Sequence, residues 1–159
     1  MGHTVPVSNT HDRELFAEED RLWSQLNGLV GSLPPDEVTK PGYFAEGWSA
    51  KDLIGHIGSW LAEAGVVLER IKAGTYRPEE IDIDAMNKVF YENMHDVAFP
   101  DVRAQTIAAR NRMLRAWRSL PDHSPEADRW IAKSGPEHYA EHIPRLEEWT
   151  RELSGPAGR

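Results

Sequence analysis

The chain has 159 residues and a formal net charge of -8, from 26 acidic and 18 basic side chains. This length suits one ordinary domain with a sizeable core, and the acidic balance argues against a general attraction to nucleic acid or anionic membranes. Cysteine is absent, which excludes disulfides, thiolate metal sites and a cysteine nucleophile within the chain.

The first residues, MGHTVPVSNTHDRE, do not show the basic and then apolar order of a secretory signal. No apolar run approaches the length that spans a membrane. We therefore expect a single soluble, cytoplasmic domain over residues 1–159, with flexible ends at 1–10 and 155–159.

Two long helices are predicted in the first half of the chain. Residues 12–33 form an amphipathic pattern, with leucines at steps of three, four and seven, until a double proline ends it. Residues 49–73 form the second helix, because Ser49 and Asp52 make a weak form of the capping box. Gly74 suits the C-cap of this helix.

The second half of the chain predicts one short and two long helices. The short helix covers residues 82–93. Its apolar side is formed by Met86, Val89 and Phe90. Long helices are predicted over residues 101–120 and 136–153, with an irregular stretch at 121–136 between them. Since no run alternates like a half-buried strand, we predict an all-α four-helix bundle with one additional short helix.

Three histidines fall on inward-facing helix stripes. His138 and His142 are spaced i, i+4, which places both imidazoles on one helical face within reach of one ion. His56 lies in the most apolar stripe of the second helix. Three imidazoles from two facing helices would leave open positions on a divalent metal, as in catalytic sites. Three core histidines without a metal are the alternative interpretation.

Further residues are candidates for a site around this metal. Glu63 projects close to His56, and Glu141 precedes His142, so either carboxylate could orient a ligand imidazole or act as a general base. A solvated carboxylate is the alternative for both. Trp60 and Tyr139 are predicted to line a cavity beside the metal. The remaining histidines are interpreted as surface residues: His3, His11, His95 and His123.

Two short segments carry a resemblance to a known family. GWSAKDLIGHI, at residues 47–57, resembles the second-helix segment of DinB-like four-helix-bundle proteins, and His138-x-x-x-His142-Ile143 is similar to the other half of their motif. Helix order and length extend the resemblance over most of the chain. The resemblance implies that His56, His138 and His142 hold a divalent metal, usually zinc or nickel, with water completing the coordination.

The DinB-like superfamily includes thiol-dependent enzymes, among them mycothiol-dependent maleylpyruvate isomerase and bacillithiol transferases. The resemblance therefore implies a metal-dependent enzyme that acts on a small-molecule substrate with an external low-molecular-weight thiol such as mycothiol, by transfer or isomerisation. A hydrolase with metal-activated water and a non-catalytic binding or stress-response module are the alternatives. A homodimer is a common assembly for such domains, and we expect no nucleic-acid or membrane partner.

Overall fold

The computed structural model describes residues 8–154, so the expected flexible ends at 1–7 and 155–159, and the surface position of His3, lie outside the described residues. Within the described part of the chain there are six α-helices and no strand, which confirms the all-α bundle. None of these helices has the length and apolar character to cross a bilayer. In chain order they are α1 (Ser8–Gly31), α2 (Ala50–Ala73), α3 (Ile83–Met94), α4 (Phe99–Arg118), α5 (Pro125–Ser134) and α6 (Pro136–Ser154).

The second helix begins and ends where its sequence predicts. The Ser49 side chain accepts a hydrogen bond from the Asp52 amide, and the Asp52 carboxylate accepts one from the Ser49 amide, which completes a capping box. At the other end Gly74 has a φ of 75°, a left-handed conformation that favours glycine. These caps set the bounds of α2, the helix that carries His56.

The other long helices occupy the predicted segments with small shifts at their ends. α1 begins at Ser8, so residues 8–10 belong to a helix, and it ends at Gly31. α4 begins two residues earlier than predicted, because Pro100 fits the first turn of a helix. α6 continues through Pro144, although a proline there supplies no amide proton for the carbonyl of Ala140.

α2 is the central element of the bundle. It packs most extensively against α4 and also contacts α3 and α5, while α1 packs mainly against α6. Gly58 permits the close approach of α2 to α4, since a Cβ there would lie 3.1 Å from the Thr106 Cα. Fully buried side chains from five helices form one core, among them Leu26, Leu53, Met113, Ile131 and Trp149.

The stretch predicted to be irregular between α4 and α6 contains a helix, α5, and that prediction is wrong. The Ser124 side chain caps this helix by accepting a hydrogen bond from the Ala127 amide, and Pro125 occupies the first turn. Ten residues with only Ala127 and Ile131 as buried apolar side chains make too short a stripe for a periodicity to be recognised. Two short helices, α3 and α5, thus accompany the four long ones.

α3 lies on the surface of the bundle, and none of its residues is buried. Its predicted apolar side is only partly covered, because the helix packs chiefly against α2. The Phe90 ring meets the edge of Trp60 with a centroid distance of 5.2 Å. Val89, on the same apolar side, is 51% exposed.

Candidate metal centre

Three imidazoles, one from α2 and two from α6, converge in the bundle. His138 Nε2 lies 3.0 Å from His56 Nε2. The ring centroids are 4.8 Å apart for His56 and His138, 4.9 Å for His138 and His142, and 5.7 Å for His56 and His142. One nitrogen from each ring can be chosen so that all three lie within 4.8 Å of one another. The structure therefore brings together the three histidines that the sequence singles out.

Burial keeps these imidazoles uncharged at neutral pH. It lowers the pKa of His56 to about 4, with a further contribution from the charge of His142. Burial also lowers the pKa of His138 to about 3, and the charges of the other two imidazoles act in the same direction. The pKa of His142 is lowered by burial, although the carboxylates of Glu141 and Glu46 oppose the shift. The cluster consequently offers nitrogen lone pairs rather than positive charge.

Hydrogen bonding orients the ring of His138. This imidazole hydrogen-bonds to the backbone of Ser134, one turn earlier in the chain. Because a backbone carbonyl only accepts, this contact favours the tautomer with the proton on the nitrogen toward Ser134 and a lone pair on Nε2, which lies toward His56. Metal-binding histidines are commonly held in this way. The Nδ1 atom of His56 is buried without a hydrogen-bond partner. Three neutral imidazoles of this kind fit a divalent ion that takes nitrogen ligands.

A cavity of about 470 Å³ opens beside the cluster, and His56 and His138 are among the residues that line it. This volume falls in the range of small-molecule sites, roughly 300–1,000 Å³. Aromatic and charged side chains make up much of the lining, namely Trp60, Tyr76, Trp130, Glu79, Glu126, Arg129, Lys133 and Glu141. The cavity can therefore hold a small molecule against the imidazoles.

Of the other predicted site residues, Trp60 and Glu141 line this cavity. The indole Nε1 of Trp60 donates a hydrogen bond to Asn87 Oδ1 at 2.8 Å, which holds the ring in place. Glu63 does not line the cavity but an adjoining surface depression, which shares Tyr76 and Trp130 with it. Seven residues along a helix correspond to about 10 Å, so Glu63 is two turns away from His56 on α2. Glu141 is thus the one of the two predicted carboxylates that lines the cavity.

Tyr139 does not line the cavity, and its prediction is corrected. The ring is fully buried, and its hydroxyl donates a hydrogen bond to Glu19 Oε2 at 2.9 Å. Adjacent helical residues point about 100° apart, so Tyr139 faces α1 while His138 faces α2. Arg110 binds both carboxylate oxygens of Glu19 at 2.7 Å. Tyr139 is therefore part of a buried ion-pair network in the core.

A second group of ligand-type side chains was not recognised in the sequence. Asp12, His123 and Asp128 can each place one ligand atom within 4.8 Å of the others. The side chain of His123 is 11% exposed, so its interpretation as a surface residue is wrong, whereas His11 and His95 are exposed as expected. The three residues share no local spacing, because Asp12 is more than a hundred residues from the other two.

Fold and site together define a DinB-like helical bundle with a three-histidine cluster in its interior. Residues 20–146 match the family model described as the mycothiol maleylpyruvate isomerase N-terminal domain. The chain belongs to this family. A comparison with curated protein sequences found no match.

A solved structure with a similar fold is that of an uncharacterised protein from Escherichia coli UTI89. The two chains superpose with a TM-score of 0.76 and are 16% identical. The similarity covers 89% of this chain and 94% of the other. At this level of identity the likeness concerns the fold.

Proposed function

We propose that the protein is a metal-dependent enzyme that joins an external low-molecular-weight thiol to a small electrophile, as an S-transferase or a thiol-dependent isomerase. The observation that carries this proposal is the convergence of three neutral imidazoles, one buried and two half-buried, beside a cavity of about 470 Å³. Membership in a family described by mycothiol maleylpyruvate isomerase supports the same type of reaction.

In this proposal His56, His138 and His142 hold a divalent ion, zinc or nickel. Such an ion would supply a Lewis acid that favours the thiolate form of a thiol at neutral pH. Since the chain has no cysteine, the thiol would come from solution. The family description makes mycothiol the first candidate.

The chain's own side chains would position the two reactants. Trp60 and Trp130 offer aromatic surfaces in the cavity, and both are held by hydrogen bonds, Trp60 to Asn87 and Trp130 to the hydroxyl of Tyr76. Rings that are already held lose little freedom when a ligand binds. Glu141 would accept the proton of the thiol, so that the sulfur can form a bond to the electrophilic carbon. In a transfer, the displaced group would leave with the electron pair of its bond to that carbon. In an isomerisation, the π electrons of the double bond would move onto the conjugated carbonyl oxygen and, after rotation, return to expel the thiolate.

Metal binding is the first test. The untagged protein is treated with a chelator, loaded with zinc, and passed through gel filtration before its zinc content is measured. We expect His142→Ala to lose one equivalent of zinc relative to the wild type, with an unchanged circular dichroism spectrum. Glu137→Gln, an exposed carboxylate on the same helix, is the control and should retain the full content. Equal zinc in all three proteins would contradict the proposal.

Thiol use is the second test. The zinc-loaded protein is incubated with mycothiol and maleylpyruvate, or with a chloronitrobenzene, and adducts and products are followed by mass spectrometry. We expect Glu141→Gln to lower kcat by about a hundredfold, the lower range for loss of a general base. Glu137→Gln should keep the wild-type rate. Turnover that proceeds equally without any thiol would indicate a hydrolase instead.

A further inference from the structure

We propose that Asp12, His123 and Asp128 form a second divalent-cation site, separate from the three-histidine cluster. The residues come from three parts of the chain: α1, the loop that precedes α5, and α5 itself. One ligand atom from each lies within 4.8 Å of the others. An imidazole and two carboxylates are a ligand set that divalent transition ions accept.

The hydrogen bonding of His123 leaves the lone pair of its Nδ1 atom facing a carboxylate. Its Nε2 lies 2.8 Å from the backbone oxygen of Trp117. That oxygen can only accept, so Nε2 carries the proton. Nδ1 then faces Asp12 Oδ2 at 2.7 Å. In this tautomer Nδ1 and the carboxylate oxygen of Asp12 both present lone pairs and repel each other. A metal ion that binds both atoms from one side, or a proton shared by them, removes this repulsion.

A metal ion satisfies more of these groups than a proton does. His123 Nδ1 and Asp12 Oδ1 are buried without a hydrogen-bond partner, so the short contact between the two side chains lacks the direction of an N–H···O bond. Two carboxylates also carry two negative charges, which a divalent ion balances and a single proton does not. On the exposed side of the group, His11 Nε2 lies 3.5 Å from Asp128 Oδ2.

Trp117 orients two of the three ligands from behind. Its carbonyl accepts the Nε2 proton of His123, and its indole Nε1 donates to Asp128 Oδ1 at 3.2 Å. The His123 ring also stacks on the indole, with centroids 4.4 Å apart. Outer hydrogen bonds of this type hold histidine and carboxylate ligands in known metal sites. A mixed set of nitrogen and oxygen ligands favours zinc or manganese over calcium and magnesium.

An ion at this position would connect the beginning of α1 to α5. The latter helix supplies Arg129, Trp130 and Lys133 to the lining of the cavity described above. The second site would therefore be a structural clamp, and it would stabilise one wall of the cavity without touching its contents.

The test uses the untagged full chain with His138→Ala and His142→Ala, which removes the three-histidine cluster. We expect this protein to retain one equivalent of zinc after gel filtration and to unfold at a higher temperature with zinc than with a chelator. Adding Asp12→Asn or Asp128→Asn should weaken zinc binding at least tenfold. Asparagine at 128 keeps an oxygen for the Trp117 indole, and having two variants protects the test against one that fails to fold.

Glu14→Gln in the same background is the matched control, because Glu14 is an exposed carboxylate two residues from Asp12 on α1. It should bind zinc as the background protein does. The proposal is overturned if the background protein retains no zinc, or if Asp12→Asn and Asp128→Asn bind zinc as tightly as Glu14→Gln. A proton would then occupy the position between His123 and Asp12.

Discussion

Glu19 is a fully buried carboxylate in α1, and its partners explain how the core tolerates it. Arg110 forms two hydrogen bonds to it, and Tyr139 donates a third. The sequence position of Glu19 indicates that its side chain is buried. Glu19 falls between Leu15 and Leu22 at steps of four and three, within the apolar stripe of the helix. A carboxylate in such a stripe indicates a buried partner elsewhere in the chain.

We predict that Glu19→Ala lowers the free energy of unfolding by about 3–5 kcal/mol, because the largely buried charge of Arg110 would keep only the exposed Asp20 as a partner. Tyr139→Phe should cost about 1 kcal/mol, the typical value of one hydrogen bond, and should leave zinc content unchanged. Urea unfolding measures both. A Glu19→Ala protein within 1 kcal/mol of the wild type would show that the network contributes little.

The histidine cluster predicts an acid dependence of stability for the metal-free protein. The pKa of His56 is about 4 in the folded state against 6.5 for a free imidazole, so the unfolded chain binds more protons between these values. Stability is therefore fully present above about pH 6.5 and falls as the pH is lowered toward about 4, by up to roughly 3 kcal/mol for this residue.

Urea unfolding with a chelator at about pH 7.5, 6 and 5 measures this dependence. Carboxylates also titrate toward the acid end, so the informative quantity is the difference between the wild type and His56→Gln. The wild type should lose more stability on acidification than the variant. Parallel curves for the two proteins would mean that His56 is not held neutral by burial.

At the scale of the elements, the packing of α2 against α4 requires glycine at position 58 but not at position 65. A Cβ at Gly58 would lie 2.3 Å from Thr106 Oγ1 and 3.1 Å from the Thr106 Cα, whereas one at Gly65 would have its nearest neighbour at 3.5 Å. The second distance is an ordinary van der Waals contact. Gly58 and Gly65, two of the three glycines of α2, therefore allow the effect of helix propensity to be separated from the effect of packing.

We predict that Gly65→Ala stabilises the protein by up to about 1 kcal/mol, since alanine is the better helix former. Gly58→Ala should destabilise it by about 1–3 kcal/mol, because the backbone of α4 must move to accommodate the methyl group. Thermal unfolding of the two variants and the wild type measures whether their stabilities follow this order, with Gly65→Ala highest and Gly58→Ala lowest. Equal effects at both positions would contradict the close approach.

The N-cap of α2 yields a further prediction for this element. Ser49 is buried, and its side chain satisfies the amide of Asp52, so Ser49→Ala should cost about 1 kcal/mol of unfolding free energy. Ser49→Thr keeps the hydroxyl and is expected to lose less. Chemical denaturation compares the three proteins, and an alanine variant as stable as the threonine variant would argue against the capping role.

At the scale of the whole molecule, the three histidines join α2 to α6, two helices that lie about eighty residues apart in the chain. An ion held by all three binds only the folded state, so it should stabilise the protein by about 4 kcal/mol at a thousand times its dissociation constant. This stabilisation should appear as a higher melting temperature when zinc is added. We predict it for an Asp12→Asn background, in which zinc acts through the histidine cluster alone. Adding His142→Ala should abolish it, and an undiminished rise would place the zinc elsewhere.

The sequence by itself determined the features that depend on a few neighbouring residues. The sequence predicts the four long helices, because helix formation and capping act within one or two turns. The local signals are the periodic leucines, the cap formed by Ser49 and Asp52, Gly74 and the prolines. The i, i+4 spacing likewise placed His138 and His142 on one face. α5 was not predicted in this way, because its two buried apolar residues are too few to show a helical period.

Only the tertiary structure decided which faces meet. The contacts of His56 with His138, of Tyr139 with Glu19, and of His123 with Asp12 join residues more than eighty positions apart. Such contacts depend on the rotation of each helix about its axis and on which helices are neighbours. The local sequence pattern specifies neither. For this reason the sequence predicts Tyr139 in the cavity, whereas the ring lies in the core, and only the folded chain brings Asp12, His123 and Asp128 together.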